Sequence, residues 1–167
     1  EITAFMKRAA EVADVPGLAF ILFENDRVLV EAGIGVRERG GDEPVTADTL
    51  FLIASNSKPL TTLLMAKLEA EDRFQWDTPV TEVYPDFRLG DPGITAQVLM
   101  KHLVCACTGL PRQDLEWLFT FQDFSPEEQF EILATMQPTT EFGELFQYSN
   151  PLASAAGFIA ANLVLPE

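Results

Sequence analysis

Apolar residues along the chain repeat at two different periods, and the switches between them mark out its elements. Ile2, Phe5, Met6, Ala9 and Val12 share one helical face, which predicts a helix over 2–13. VPGLAFILF, from Val15 to Phe23, and RVLVEAGIGV, from Arg27, read as two strands. The polar ENDR between them predicts a tight antiparallel hairpin. RERGGDEPVTADT (37–49) is a polar loop, and TLFLIA (49–54) is a short apolar strand or extended run that ends at Ser55. Leu60, Leu63, Leu64, Met65 and Leu68 then recur at helical spacing and predict a helix with that broad stripe buried. FQWDTPV (74–80) closes this helix and turns the chain.

No convincing strand follows. VTEVYPDF (80–87) reads as a short turn of helix, ITAQVLMKHLV (94–104) as a helix starting near Thr95, and CTGLPRQ (107–113) as a loop. Ser125, Pro126 and Glu128 form a strong helix start for SPEEQFEILATM. PLASAAGFIAANLVL (151–165) predicts the last helix. The pattern divides the chain into a sheet-containing portion, 1–78, and a helical portion, 79–167. This is an α/β chain of the α+β type, with a helix-flanked antiparallel sheet. Two or three strands cannot bury both faces of a sheet, so the fold is expected to be incomplete without a downstream segment or second chain.

Composition narrows the partners. An apolar content of 47% over 167 residues fits one folded domain, or one and a part, and argues against disorder. The net charge of −15, from 26 acidic and 11 basic residues, gives a surface that repels phosphates and anionic lipid. Nucleic acid and membrane are therefore not expected partners. Leu152 to Leu165, interrupted by Ser154 and Asn162, is too short and mixed to span a bilayer. The chain starts at Glu1, and no export signal is visible within it. Cys105 and Cys107 are close neighbours and are not expected to form a disulfide. With His102 they spell H-x-x-C-x-C, but three ligands crowded at one helix end make a poor metal site. No metal is expected, and the cysteines read as small buried residues.

The chemistry concentrates where the extended run enters the helix. Ser55 and Lys58 lie three positions apart, about 5–6 Å at Cβ and one turn along the same face. A serine needs a proton acceptor to become nucleophilic. An amine partly buried beside the positive end of a helix is a candidate for that role. Ser57 has Leu60 at the equivalent position and lacks such a partner. Taken alone, S-x-x-K is a weak signal, and a capping serine with a solvated lysine is the better reading of an isolated pair. FGELFQYSNPLASAAGF adds Tyr148 and Asn150 just before the final helix, a phenol able to relay a proton and an amide able to fix a substrate carbonyl. Their plainer reading is a ring packed under the helix and an asparagine cap.

Together these stretches resemble the serine β-lactamase and penicillin-binding protein superfamily, most closely its class C branch with its carboxypeptidase and esterase relatives. VPGLAFILFENDRVLVEAGIGVRE, FLIASNSKPLTTLLMAKLEAEDRFQWDTPVTEVYPDF, ITAQVLMKHLVCACTGLP and FQYSNPLASAAGFIA follow one another in the family's order. The resemblance implies an acyl-enzyme mechanism without cofactor. Ser55 would attack a carbonyl, Lys58 and Tyr148 would shuttle the proton, and Asn150 would hold the small-molecule substrate. It also implies a mixed antiparallel sheet flanked by helices, a helical subdomain beside it, and a periplasmic or secreted setting. β-Lactam, ester or peptide-like amide hydrolysis is expected first. The alternatives are D-Ala-D-Ala carboxypeptidase activity and a non-catalytic member or fragment. The sequence departs from the family at Ala106, Cys107 and Thr108, and in lacking the family's later K-T-G or H-x-G strand.

Overall fold

The computed structural model describes residues 1–115 and 125–165 and forms two compact units, one ending at Ile53 and one beginning at Ala54. The first contains α1 (Ile2–Val12), β1 (Gly17–Glu24) and β2 (Arg27–Gly35). The strands pair antiparallel from Gly17 opposite Gly35 to Glu24 opposite Arg27, so the hairpin turns on Asn25 and Asp26. Asn25 takes φ 51°, a left-handed conformation that asparagine tolerates better than most residues. The register slips between Leu22 and Phe23. Gly35, at φ 77°, lies where a Cβ would run into the Pro16 carbonyl, so only glycine fits.

Ala10, Ile34 and Val45 are buried, but Ile21, Phe23 and Val28 remain exposed. The hairpin therefore leaves much of its apolar surface uncovered among the described residues, as two strands must. TLFLIA joins no strand there; it runs on without regular structure into a 3₁₀ turn, Ala54–Asn56.

The second unit is helical: α2 (Ser57–Ala70), four-residue helices α3 (Val80–Val83), α4 (Pro92–Thr95) and α5 (His102–Cys105), then α6 (Pro126–Thr135) and α7 (Asn150–Val164). Its core gathers Met65 and Leu68 of α2, Leu103 of α5, Leu133 of α6 and Leu152, Ala155, Ala156 and Ile159 of α7. Small residues on α7 let α2 approach closely; Thr61 sits beside Gly157. The sequence assigned the Ser55 helix to the sheet portion. In the structure it clusters with the helices that follow, because Met65 and Leu68 pack into their core.

Three expectations are corrected. Of the stripe on α2, Met65 and Leu68 are buried, whereas Leu60, Leu63 and Leu64 are exposed, so this helix is apolar on two faces and one of them is covered among the described residues. The helix expected over 94–104 breaks into α4 and α5. Between them the backbone pairs with 76–80: Val80 N–H donates to the Val98 carbonyl (2.9 Å) and Met100 N–H to that of Thr78 (2.9 Å). Val98 and Met100 are fully buried, a period of two that serves an extended segment. Finally, Cys105 and Cys107 do form a disulfide. Ala106 between them takes the left-handed conformation that ends α5 (φ 55°, ψ 41°), and this folds the two sulfurs onto the same side.

Candidate active site

Ser55 lies in the 3₁₀ turn directly ahead of α2, and Ala54 before it sits at φ 45°. A left-handed alanine costs about 1–2 kcal/mol, a strain of the kind found beside reactive groups. Lys58 follows in the first turn of α2, and its Nζ donates to Ser55 Oγ at 3.2 Å.

Tyr148 is delivered from far along the chain by a fastened loop. Gln147 N–H donates to the Ala106 carbonyl, Gly143 N–H to that of Cys107 and Thr139 N–H to that of Gly109, each at 2.8 Å. Gly109, at φ 79°, lies where a Cβ would meet the Thr140 carbonyl oxygen. The C-T-G turn thus serves as the splint for the tyrosine segment. Ser149 then caps α7 by accepting from Leu152 N–H (3.3 Å), Pro151 occupies the first turn, and Asn150 opens the helix.

The four residues singled out from the sequence meet. Tyr148 Oη donates to Ser55 Oγ at 2.6 Å. Lys58 Nζ donates to Asn150 Oδ1 at 2.5 Å and stands 4.5 Å from the centre of the Tyr148 ring. The Lys58 ammonium above all, then the Ser55 hydroxyl and the Arg112 charge, hold the Tyr148 phenol below its ordinary range. A phenol so biased gives up its proton more readily, as a proton acceptor for a serine hydroxyl must.

Three residues join them that the sequence reading had not marked. Asn150 Nδ2 donates to Asp114 Oδ1 at 2.7 Å, Asp114 also pairs with Arg112 Nε, and the Arg112 guanidinium lies 4.9 Å from the Tyr148 ring centre. Gln129 of α6 is buried, and its Nε2 has no hydrogen-bond partner among the described residues. A cavity of about 730 Å³ is lined by Ser55, Lys58, Thr61, Arg112, Gln129 and Asn150 among others. Its size suits a small-molecule ligand. Gln129 had a signal, a polar residue one turn from buried Leu133 on the same helical face. Arg112 and Asp114 had none beyond adjacency to TGLP.

His102 serves the frame. Its Nδ1 accepts from Leu99 N–H at 3.1 Å, its ring meets Phe142 edge-on, and burial together with the Lys101 charge holds its imidazole below the ordinary range.

The family is shown by comparison with known proteins. Residues 2–163 match the model of the Beta-lactamase family, and the chain belongs to that family. The unguisins hydrolase of Aspergillus violaceofuscus is 35% identical over 111 residues, covering 64% of this chain and 19% of that protein. Among solved structures, the octameric penicillin-binding protein homologue from Pyrococcus abyssi superposes with a TM-score of 0.81 at 24% identity, over 97% of this chain and 38% of its own. The β-lactamase/D-alanine carboxypeptidase from Pseudomonas syringae gives 0.81 at 22% identity, over 98% of this chain and 44% of its own. The fold is therefore the β-lactamase fold, a small antiparallel sheet with helices, and the chain spans less than half the length of these relatives. No helix among the described residues is long and apolar enough to cross a membrane.

Proposed function

We propose that this site belongs to a serine hydrolase acting through an acyl-enzyme on β-lactam, ester or peptide-like amide substrates. The observation that carries the reading is the convergence of two proton-handling groups on one serine oxygen, Tyr148 Oη at 2.6 Å and Lys58 Nζ at 3.2 Å.

Tyr148, as phenolate beside the Lys58 ammonium, takes the Ser55 proton while Oγ bonds to the substrate carbonyl carbon. The tetrahedral oxyanion collapses, the bond to the leaving nitrogen or oxygen breaks, and that atom takes the proton from Tyr148. Water then attacks the Ser55 ester, gives a proton to the phenolate, and Ser55 Oγ leaves and recovers it. Asn150, with its oxygen on Lys58, keeps an N–H for the substrate's amide or ester group. Carboxypeptidase action on D-Ala-D-Ala peptides would run through the same steps with water as acceptor, and differ in the acyl group and in the leaving group, the amine of the terminal D-Ala.

The test is turnover of nitrocefin, p-nitrophenyl esters and a D-Ala-D-Ala peptide by the full-length protein and its Ser55→Ala variant. Hydrolysis of one class that Ser55→Ala abolishes supports the reading, and the class hydrolysed ranks the substrates. Absence of Ser55-dependent turnover and of any adduct at Ser55 overturns it.

A further inference from the structure

We propose that Asp114 and Arg112 are positioning residues of this site: Asp114 fixes which way the Asn150 amide faces and holds the Arg112 guanidinium over the ring of Tyr148. The proposal deepens the hydrolase reading and rests on it for its link to rate.

Six side chains form a closed circuit. Ser55 Oγ accepts from Lys58 and from Tyr148, Lys58 donates to Asn150, Asn150 donates to Asp114, Asp114 pairs with Arg112, and Arg112 returns to the Tyr148 ring. Its logic lies in hydrogen-bond character. An ammonium can only donate and an ionised carboxylate can only accept. An asparagine amide caught between the two has one satisfactory orientation, oxygen toward Lys58 and nitrogen toward Asp114. Turned over, it would set N–H against ammonium and oxygen against carboxylate. Nδ2 carries two hydrogens, so Asp114 engages one and leaves the other for a substrate carbonyl.

The same carboxylate acts on the phenol through Arg112. Its second oxygen takes Arg112 Nε, tethering a long and mostly exposed side chain, 65% accessible. Two cations then stand against Tyr148: Lys58 from α2 at 4.5 Å from the ring centre, and Arg112 from the loop after α5 at 4.9 Å. Among the described residues Asp114 is the anion of the cluster and meets Tyr148 through Arg112, while the Ser55 hydroxyl is bonded to the phenol oxygen. Both cations favour the phenolate over the phenol, and the Arg112 contribution to the lowered phenol runs in this direction. The local sequence R-Q-D places the fork and the carboxylate two residues apart, close enough for one loop to supply both.

The experiment uses the full-length protein and four variants, Arg112→Ala, Arg112→Lys, Asp114→Ala and Asp114→Asn, with two readouts. The first is the pH profile of Ser55 acylation by a fluorophosphonate. The second is the titration of the Tyr148 phenol by ¹³Cζ-tyrosine NMR, assigned by the signal lost in Tyr148→Phe. Arg112→Ala is expected to move both the rising limb and the phenol titration to higher pH, with Arg112→Lys moving them less. Asp114→Ala is expected to slow acylation about ten- to hundredfold through misplacement of Asn150. Asp114→Asn, which still offers Asn150 one oxygen acceptor, is expected to fall between. The Arg112→Ala/Asp114→Ala pair should be less than additive, since the two act as one unit.

Equal slowing at every pH with an unmoved phenol titration, or full additivity, overturns the proposal, because a merely structural contact would behave so. Should the unmodified protein form no adduct at Ser55, the hydrolase reading fails by itself. The phenol titration still decides whether Arg112 acts on Tyr148.

Discussion

Replacing Tyr148 by phenylalanine removes one oxygen atom and leaves the ring, its stacking cations and the segment that carries it. That oxygen is 2.6 Å from Ser55 Oγ and is the closest proton-handling group to it among the described residues. A positioned general base contributes about 10²–10⁴ in rate, or about 2.7–5.4 kcal/mol at the barrier. Lys58 Nζ remains at 3.2 Å and can relay part of the proton transfer, which places the expected loss near the lower end, about 10²–10³. The stability cost is small by comparison, about 1 kcal/mol for one hydrogen bond at a partly exposed site.

The assay is acylation of Ser55 by a fluorophosphonate, read by intact mass across a range of pH, with circular dichroism to confirm folding. The phenol is held below its ordinary range, so it reaches the phenolate form at lower pH than a free tyrosine. Acylation of the unmodified protein should therefore rise with pH through that ionisation, and Tyr148→Phe should lose the limb as well as the rate. A folded Tyr148→Phe protein that acylates within about threefold of the parent at every pH would refute the reasoning and leave Lys58 alone as the base.

Three further predictions probe the frame around the site. Ser125→Ala removes a capping box in which Ser125 accepts from Glu128 N–H and Glu128 accepts from Ser125 N–H; urea unfolding should show a loss of about 0.5–2 kcal/mol. Gly109→Ala forces a Cβ onto the Thr140 carbonyl at a left-handed position; it should lower the melting temperature and slow Ser55 acylation together, since this turn splints the segment bearing Tyr148. Asp77 pairs with Lys101, which holds its carboxyl below the ordinary 3.8, so its stabilising effect is present above that value and lost as pH falls through the lower folded-state value. The gap in melting temperature between the parent and Asp77→Asn should accordingly shrink in acid and at high salt, the pair being exposed.

What the sequence made legible was local. Ser55 and Lys58 were legible because helical spacing brings them to one face and because the Y-x-N stretch at the start of the last helix, Tyr148 and Asn150, stands with them in the family's order. The family order of those stretches also carried the fold. Burial was harder to read: Leu60, Leu63 and Leu64 share the chemistry of Met65 and Leu68, and periodicity cannot say which of two apolar faces a helix covers. The 94–104 segment misled because Val98 and Met100 suit a helix as well as the extended pairing they adopt with 76–80. The disulfide depended on one left-handed alanine, a conformation no pattern at 105–107 announces. Asp114 and Arg112 escaped because their partners lie 36 residues on, at Asn150 and the neighbouring Tyr148, and only the folded loop brings them together.

The most direct measurement is the site of covalent modification. The full-length protein is incubated with an acylating β-lactam or a fluorophosphonate, digested, and mapped by tandem mass spectrometry, with Ser55→Ala alongside. One adduct per chain on Ser55, absent from the variant, is the expected result. An unmodified Ser55, or labelling that persists in Ser55→Ala, would contradict the assignment of a nucleophile to this turn.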